Sequence, residues 1–600
     1  MGDRKLKVNA LKAECLIIGG GAAGCTAANI LAKSGRSVIL AEKAAISRSG
    51  CLAAGVNAIN AWVGQGKSPQ DYADYAFQDA HGIASMSLLL SMSERLEGAI
   101  KMLEALGLVF QKEPDGSYKS RSWRNIKVNG ENIKPLLAFP LKTMKNITLV
   151  EHVHVSNLLL SQDSGEPVVS GALGFSTHKD GGFYIFGAKA VIVATGGAAG
   201  IYMPNNQGIS QHKMWYPPFN TGGGYAMGIL AGAELSTLEM RFVALRLKDT
   251  MAPTGTLSLG AGAHQVNSLG ENYEAKYGNS TSDRVLALRR ENEEGRGPCR
   301  LVAKNESGHL REGLSKAYFH MSPLQSLRFL EDGTHLKKQN LKDIPKEGGD
   351  ELLGAFIEGS EPFVMGGHTA SGYVIGPGRE TSLKGLYAAG DAAFGAPQKY
   401  VSGSMAEAMI AAESVSLYLQ DLVEPKTDKA QLEKALSFAS KDLTRKRPPY
   451  GADGLEEAMQ KAMDREAGGR SSGYRYTLNG LKEARKEIDR IYTLSLNLAA
   501  RDLKELSRNF ELRERLIVAR SLICHLMNRK ETRWPGFGEY QDYPKLDSRY
   551  ELFLNTEATT YGGCYPEEGL VNLKLSARDL IKLESVPLPD VQEDPPEESQ

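Results

Sequence analysis

The feature that most limits how this chain can fold is the stretch AECLIIGGGAAGCTAANILAKSGRSVILAEK, residues 13–43. A short apolar strand (Cys15 to Ile18) meets a glycine turn, and a helix of small residues then runs to about Lys33. A second apolar strand (Ser37 to Leu40) ends at Glu42. That order of elements is a βαβ unit. Gly19, Gly21 and Gly24 place G-x-G-x-x-G where strand passes into helix. Gly19 permits the turn, Gly21 lets a pyrophosphate reach the backbone, and Gly24 lets helix and strand pack closely. Phosphates then lie at the helix N-terminus beside Ala22 and Ala23, where free N–H groups and the helix dipole favour negative charge. Glu42, followed by Lys43, is placed to accept from ribose hydroxyls.

The chain has 64 glycines in 600 residues, against about 7% in an average protein. They cluster in GGGAAG, ATGGAAG, NTGGGYAMG and VMGG, as backbone does where it approaches a ligand. Basic and acidic residues balance at 71 each, so no global field points to nucleic acid or a membrane surface. No apolar run approaches the roughly 20 residues needed to span a bilayer. The start lacks the apolar core and cleavage site of a signal peptide, and a cytoplasmic protein is expected. Cys15, Cys25, Cys51, Cys299, Cys524 and Cys564 are scattered without metal-ligand spacing, so no metal and no iron-sulfur cluster is expected in this chain.

The length predicts several units. Residues 1–235 read as the first part of a Rossmann-type domain, with a β-rich insertion over roughly 147–194. Residues 236–365 read as a capping insertion and 366–424 as the second part of the domain. A helical domain follows over 425–530, an extension over 531–585, and a Pro/Glu-rich disordered tail over 586–600. The fold class is therefore α/β, with an inserted cap and a helical C-terminal domain.

Two more strand-to-glycine segments, VIVATGGAAG (191–200) and GLYAAGDAAFG (385–395), complete the dinucleotide signal. Together with the first turn they resemble the fumarate reductase and succinate dehydrogenase flavoprotein superfamily. The resemblance implies FAD, with Ala194, Thr195, Gly196 and Gly197 on one side and Asp391 holding the ribityl chain. Ser402, Ser404 and Glu407, in QKYVSGSMAEAM, are carried over as further flavin contacts. Membrane-bound members attach the flavin through a histidine. Here RSGCLAAG puts Gly50 at that place, next to Ser49, so the FAD is expected to be non-covalent.

The likeness sharpens to the alpha subunits of dissimilatory adenylylsulfate reductases. It is carried by GVNAIN (55–60), WRNIKVNGENIKPLLA (123–138), PPFNTGGGYAMGILAGAEL (217–235) and RFVALRLKDTMAPTG (241–255). EPFVMGGHTASGYVIGP (361–377), QKYVSGSMAEAMIAAES (398–414) and RKETRW (529–534) add to it. The resemblance implies two-electron reduction of adenosine 5′-phosphosulfate to sulfite and AMP at flavin N5, reversibly. An iron-sulfur beta subunit of the two-cluster ferredoxin kind would be the electron partner. Arg246 and His368 would be the active-site pair, with Asn60 and Trp215 beside the isoalloxazine. Arg246 would clamp the sulfate oxygens, and His368 would donate a proton while titrating near neutral pH. Arg529, Glu531 and Arg533 read as a structural ion-pair cluster, and His264 as a lesser alternative donor.

Three positions depart from fumarate reductases. Arg246 stands where their substrate-binding histidine does, LSLGAGAHQVNSLGENY carries no proton-donating arginine, and Lys399 replaces their second substrate arginine. The run TLSLGAG (256–262) also lacks the aromatic residues that the adenylylsulfate reductases place against adenine. The alternative reading is a fumarate reductase-, succinate dehydrogenase- or L-aspartate oxidase-like flavoenzyme acting on a small organic acid.

Overall fold

The computed structural model describes residues 7–63, 66–161, 165–204, 214, 216–248, 254, 263–304, 352–420, 425–559 and 562–589. The βαβ unit is present, with a longer first strand than its apolar run suggested: β1 Val8–Ile18, α1 Ala22–Lys33 and β2 Val38–Glu42. Only the last four residues of β1 are fully buried, which is why the polar first half did not read as strand. β1 lies between β2 and the strand Phe183–Val193, parallel to both.

Phe183–Val193 changes partners along its length. Its first half pairs antiparallel with Val168–Ser176, and Val191–Val193 pairs in parallel with Leu386–Ala388. The two halves of the domain, far apart in sequence, therefore meet on one strand. The 147–194 stretch is not a separate insertion. Ile147–Glu151 extends the sheet beyond β2, while Val153–Ser161 and Val168–Ser176 extend it on the other side. Those last two strands are buried at every position, so they must be covered on both faces. The long helix Leu503–Asn528 supplies part of the cover, with Phe510 edge-on to Phe175 at 5.2 Å.

In the cap, Leu245–Leu247, Leu352–Gly359, Arg300–Lys304 and His264–Val266 form an antiparallel four-stranded sheet. The helix Thr281–Glu293 begins with a capping box in which Ser280 and Asp283 satisfy each other's backbone N–H, a motif worth about 1 kcal/mol. The C-terminal region is helical as expected, through Lys429–Thr444, Ala452–Glu466, Leu478–Ser495 and Leu503–Asn528. The chain then returns as the strand Phe553–Ala558 beside Leu235–Ser236. Val586 still belongs to the strand Ser585–Val586, so ordered chain passes the boundary drawn at 585. Residues 590–600 of the expected tail lie outside the described residues. Among the described residues no helix is long and apolar enough to cross a membrane.

The RKETRW segment closes the helical region with a buried ionic chain. Arg529 donates to Glu239 (2.6 Å) and Glu531 (3.0 Å), Arg533 donates to Glu531 (2.6 Å), and His525 bonds Glu239 (2.8 Å). Arg529 also holds the carbonyls of Tyr550 and Leu552. The cluster thus joins the helical region, the start of the cap and the C-terminal extension. Removing one member of such a set strands buried charge. Arg529→Ala is expected to lower stability by about 3–5 kcal/mol, read as a reduced denaturation midpoint with an unchanged slope. A loss below about 1 kcal/mol would show that the cluster is replaceable.

Candidate flavin and substrate cavity

A cavity of about 1330 Å³ opens at the carboxyl ends of the parallel strands, where ligands bind in open α/β sheets. Its volume exceeds the 300–1,000 Å³ or so of an ordinary small-molecule pocket. Gly19, Gly21, Ala22 and Ala23 line it where α1 begins. Gly19 has φ +98°, and a Cβ there would lie 2.6 Å from the Ala194 carbonyl oxygen. At Gly24 a Cβ would lie 1.9 Å from the Gly19 carbonyl oxygen. Gly24 does not line the cavity. Its part is to let α1 start against β1, aiming the helix N-terminus at the opening. No side chain caps that terminus, which leaves its N–H groups for an anion.

Glu42, Lys43, Ser49, Gly50, Ala194, Thr195, Gly196, Asp391 and Ser404 also line the cavity. Glu42 is braced by the N–H groups of Gly20 (2.7 Å) and Ala44 (2.9 Å), and Lys43 bonds Glu511 (3.0 Å). The buried hydroxyls of Ser49 and Thr195 have no hydrogen-bond partner among the described residues. Buried hydroxyls left so are costly, and both fit a ligand with ribityl or phosphate oxygens. Asp391 accepts from the Tyr216 phenol (2.9 Å), and burial pushes its carboxyl above the usual range. Tyr216 in turn accepts from the Gly197 N–H (2.9 Å). The residues present therefore fit FAD, with unpartnered hydroxyls and an uncapped helix N-terminus in the lining.

Three carried-over flavin contacts stand behind the wall instead of in it. Gly197 packs against Val364 and Met365, and the Ser402 hydroxyl bonds the Asn60 carbonyl. Glu407 forms a buried two-pronged pair with Arg379 (2.7 and 3.1 Å). Ser402 lies on the helix Tyr400–Tyr418 two positions before Ser404, which puts it on the opposite face, while Glu407 is drawn onto Arg379.

On the substrate side, Asn60 and His368 both line the cavity. Asn60 ends the strand Val56–Asn60 and accepts from Asn125 (2.9 Å), its cross-strand neighbour. His368 stacks on Phe242 at 4.1 Å and meets Tyr400 edge-on at 4.7 Å. Burial holds its imidazole down at about 3, so the expected titration near neutral pH is corrected. Packing against Phe242 and Tyr400 strips solvent from the ring, which disfavours its charged form.

Arg246 differs from expectation more sharply. The strand Leu245–Leu247 turns Leu245 into the cavity, so the next side chain points to the opposite face. The Arg246 guanidinium bonds Glu358 (2.6 Å), which is also its cross-strand partner. The same segment thus brings Phe242 onto His368 but keeps Arg246 out of the described cavity wall. Trp215 and the 256–262 run lie outside the described residues. His264 is mostly exposed and bonds Glu274, and it does not line the cavity. Lys399 is fully buried, donating to the carbonyls of Ala393 (2.9 Å) and Gly366 (3.3 Å), with burial pulling its ammonium down to about 8.

Sequence reading missed Tyr216, Tyr400, Arg124 and the pair His154–Glu514 (2.6 Å), all in the wall. No periodicity marks these positions. Arg124 and Tyr400 lie inside segments matched to the family (123–138 and 398–414), whereas Tyr216, His154 and Glu514 lie outside all of them.

Two outcomes follow from this geometry. Gly24→Ala forces its methyl into the Gly19 carbonyl, so purified protein should carry little flavin, measured by absorbance per polypeptide. For His368 the folded value lies below the ordinary 6.5, so the unfolded chain binds the extra proton between about 6.5 and about 3. Its neutral burial therefore costs nothing above that window, and stability falls as pH drops through it. Melting at about pH 7 and about pH 5 should show a smaller drop for His368→Asn than for the parent, and equal drops would disprove this ionisation.

Comparison with known proteins agrees with the cavity. The FAD binding domain family matches residues 14–404. The alpha subunit of adenylylsulfate reductase from Megalodesulfovibrio gigas is 27% identical, over 91% of this chain and 93% of its own length. The structure of adenylylsulfate reductase from Archaeoglobus fulgidus superposes with a TM-score of 0.85 at 29% identity, covering 98% of this chain and 97% of that one. A structure of adenosine-5-phosphosulfate reductase with sulfite as a covalent adduct gives the same TM-score, identity and coverage. The chain is an FAD-dependent oxidoreductase and belongs to the FAD binding domain family.

Proposed function

We propose that this chain is the catalytic flavoprotein of an adenylylsulfate reductase, reducing adenosine 5′-phosphosulfate to sulfite and AMP. The observation that carries the reading is that Asn60 and His368, from segments that resemble adenylylsulfate reductases, line one cavity with the glycine turn of α1. The nearly full-length likeness to such enzymes supports it.

Bound FAD supplies a two-electron donor at its N5. This chain's own residues hold, polarise and enclose. The Asn60–Asn125 amide pair offers neutral donors and acceptors in the wall. His368, neutral at pH 7, acts as a hydrogen-bond donor through its N–H and not as a cation. Phe242 and Leu245 close the substrate side with apolar surface, and excluding water there strengthens each remaining polar contact. The FAD is held without a covalent bond, because Gly50 offers no side chain where a linking histidine would stand.

An organic-acid reading fits less well. Reducing a C=C bond needs a proton delivered to carbon, and the stretch LSLGAGAHQVNSLGENY carries no arginine to deliver it, while Lys399, at the place of the second substrate arginine, is committed to backbone carbonyls. We further propose an iron-sulfur partner of the two-cluster ferredoxin type, working in the cytoplasm. Among the described residues no group of three or more His, Cys, Asp or Glu could hold a metal ion. All six cysteines are free thiols, as in a reducing compartment.

The test is anaerobic turnover of the flavin-loaded protein with reduced viologen as electron donor. Sulfite and AMP should appear in equal amounts from adenosine 5′-phosphosulfate. Oxidation of succinate without any sulfite release would overturn the assignment. Arg246→Ala should leave flavin content intact. Because the guanidinium sits on Glu358, its effect on turnover should be smaller than that of His368→Ala.

A further inference from the structure

The substrate proposed above carries several negative charges, yet the arginine expected to meet them is paired elsewhere. We infer that Arg124, set beside Tyr400 in the cavity wall, takes the charge of the substrate's oxyanion, a role that rests on the reading of this cavity as an anion-reducing flavin site.

Arg124 lies immediately before the strand Asn125–Gly130, and its carbonyl accepts from the Ala61 N–H (3.0 Å). Its backbone is thereby fixed beside Asn60. The guanidinium lies 4.2 Å from the Tyr75 ring centre, and Tyr75 is braced edge-on by Trp123 at 5.8 Å. Held over this ring and beside the Tyr400 phenol, the guanidinium presents N–H donors of the kind that bind an oxyanion with two hydrogen bonds. Arg124 and Tyr400 both line the cavity. Burial pushes the Tyr400 phenol up, while the Arg124 guanidinium acts on it in the opposite sense. Tyr400 also meets His368 edge-on. Arg124, Tyr400, His368 and Asn60 therefore converge on one region of the wall.

Among the described residues Arg124 forms no salt bridge. The carboxylate acting on it, Asp79, is already occupied by the Thr281 N–H and hydroxyl and by the Gln398 amide. Arg284 shares the cavity but donates to the Asn279 carbonyl (3.3 Å). A half-buried guanidinium that lines the cavity with no carboxylate in salt-bridge contact among the described residues is a site for an incoming anion.

The backbone that presents Tyr400 supports the same conclusion. Gln398 (φ +64°) and Tyr400 (φ +49°) both adopt the left-handed region although neither is glycine. Such strain persists only where surrounding structure enforces it, and it clusters at ligand clamps. Here Ser404 holds the Tyr400 carbonyl (2.5 Å), and the buried Lys399 between them is bonded to two carbonyls.

The ligand chemistry is a compact oxyanion, either of sulfur or of carbon. The experiment is an anaerobic titration of the full-length flavin-loaded protein with sulfite and, separately, with succinate, following flavin absorbance. In Arg124→Gln sulfite should bind about tenfold to a hundredfold more weakly than in the parent, at equal flavin content. Arg124→Lys, which keeps the charge but loses the fork, should fall between them and serves if the glutamine variant does not fold. Parent-like affinity for both anions in either flavin-loaded variant would overturn the role of Arg124. A parent response to succinate but not sulfite, lost in Arg124→Gln, would keep the anion site and overturn the sulfur reading. No response of the parent to either anion would overturn both.

Discussion

The structure depends on one close approach, that of the Gly19 turn to the end of the strand Phe183–Val193. The Ala194 carbonyl and the Gly19 backbone lie so near that no Cβ fits between them, and Ala194 N–H donates to Ile18 (2.8 Å). That contact fixes where β1 stops, and therefore where α1 begins and what its N-terminus faces. The cavity and its wall of glycine turns follow from two strand ends meeting without side chains.

From there the substrate side is built by segments that reach the same opening from different directions. Phe242 comes from the start of the cap, His368 and Tyr400 from the returning half of the flavin domain, and Asn60 and Arg124 from a small antiparallel sheet near the N-terminus. Their mutual packing makes polar groups behave unlike their free forms. His368 loses its charge, and Lys399 is spent on carbonyl oxygens. Arg124, its guanidinium 4.2 Å from the Tyr75 ring centre, brings a cation to the same wall.

Much of the flavin half was legible in the sequence, because its constraints are local. G-x-G-x-x-G after an apolar strand admits few conformations, and the two later strand-to-glycine turns lie where a flavin fold needs them. The limits are equally physical. The 147–194 stretch read as a β-rich insertion from its alternating pattern, yet its strands, buried at nearly every position, lie in the main sheet. Arg246 matched a family position, but strand alternation decides its direction, and register with Glu358 turns it outward from the cavity. Arg124 went unmarked because its value comes from Tyr75 and Tyr400, which lie far from it along the chain. Sequence shows which residue types are near a site more readily than which way they point.

The strand Leu386–Ala388 contributes only three ladder residues to the sheet, and it arrives after the entire cap has been threaded between it and its partner. So short a seam is a weak anchor by itself, since long loops carry an entropic cost on closure. Asp391 and Gly390, just beyond it, line the flavin cavity, so a bound dinucleotide would bridge the seam and act as its fastener. Cofactor loading and the docking of the second half-domain are then a single coupled equilibrium.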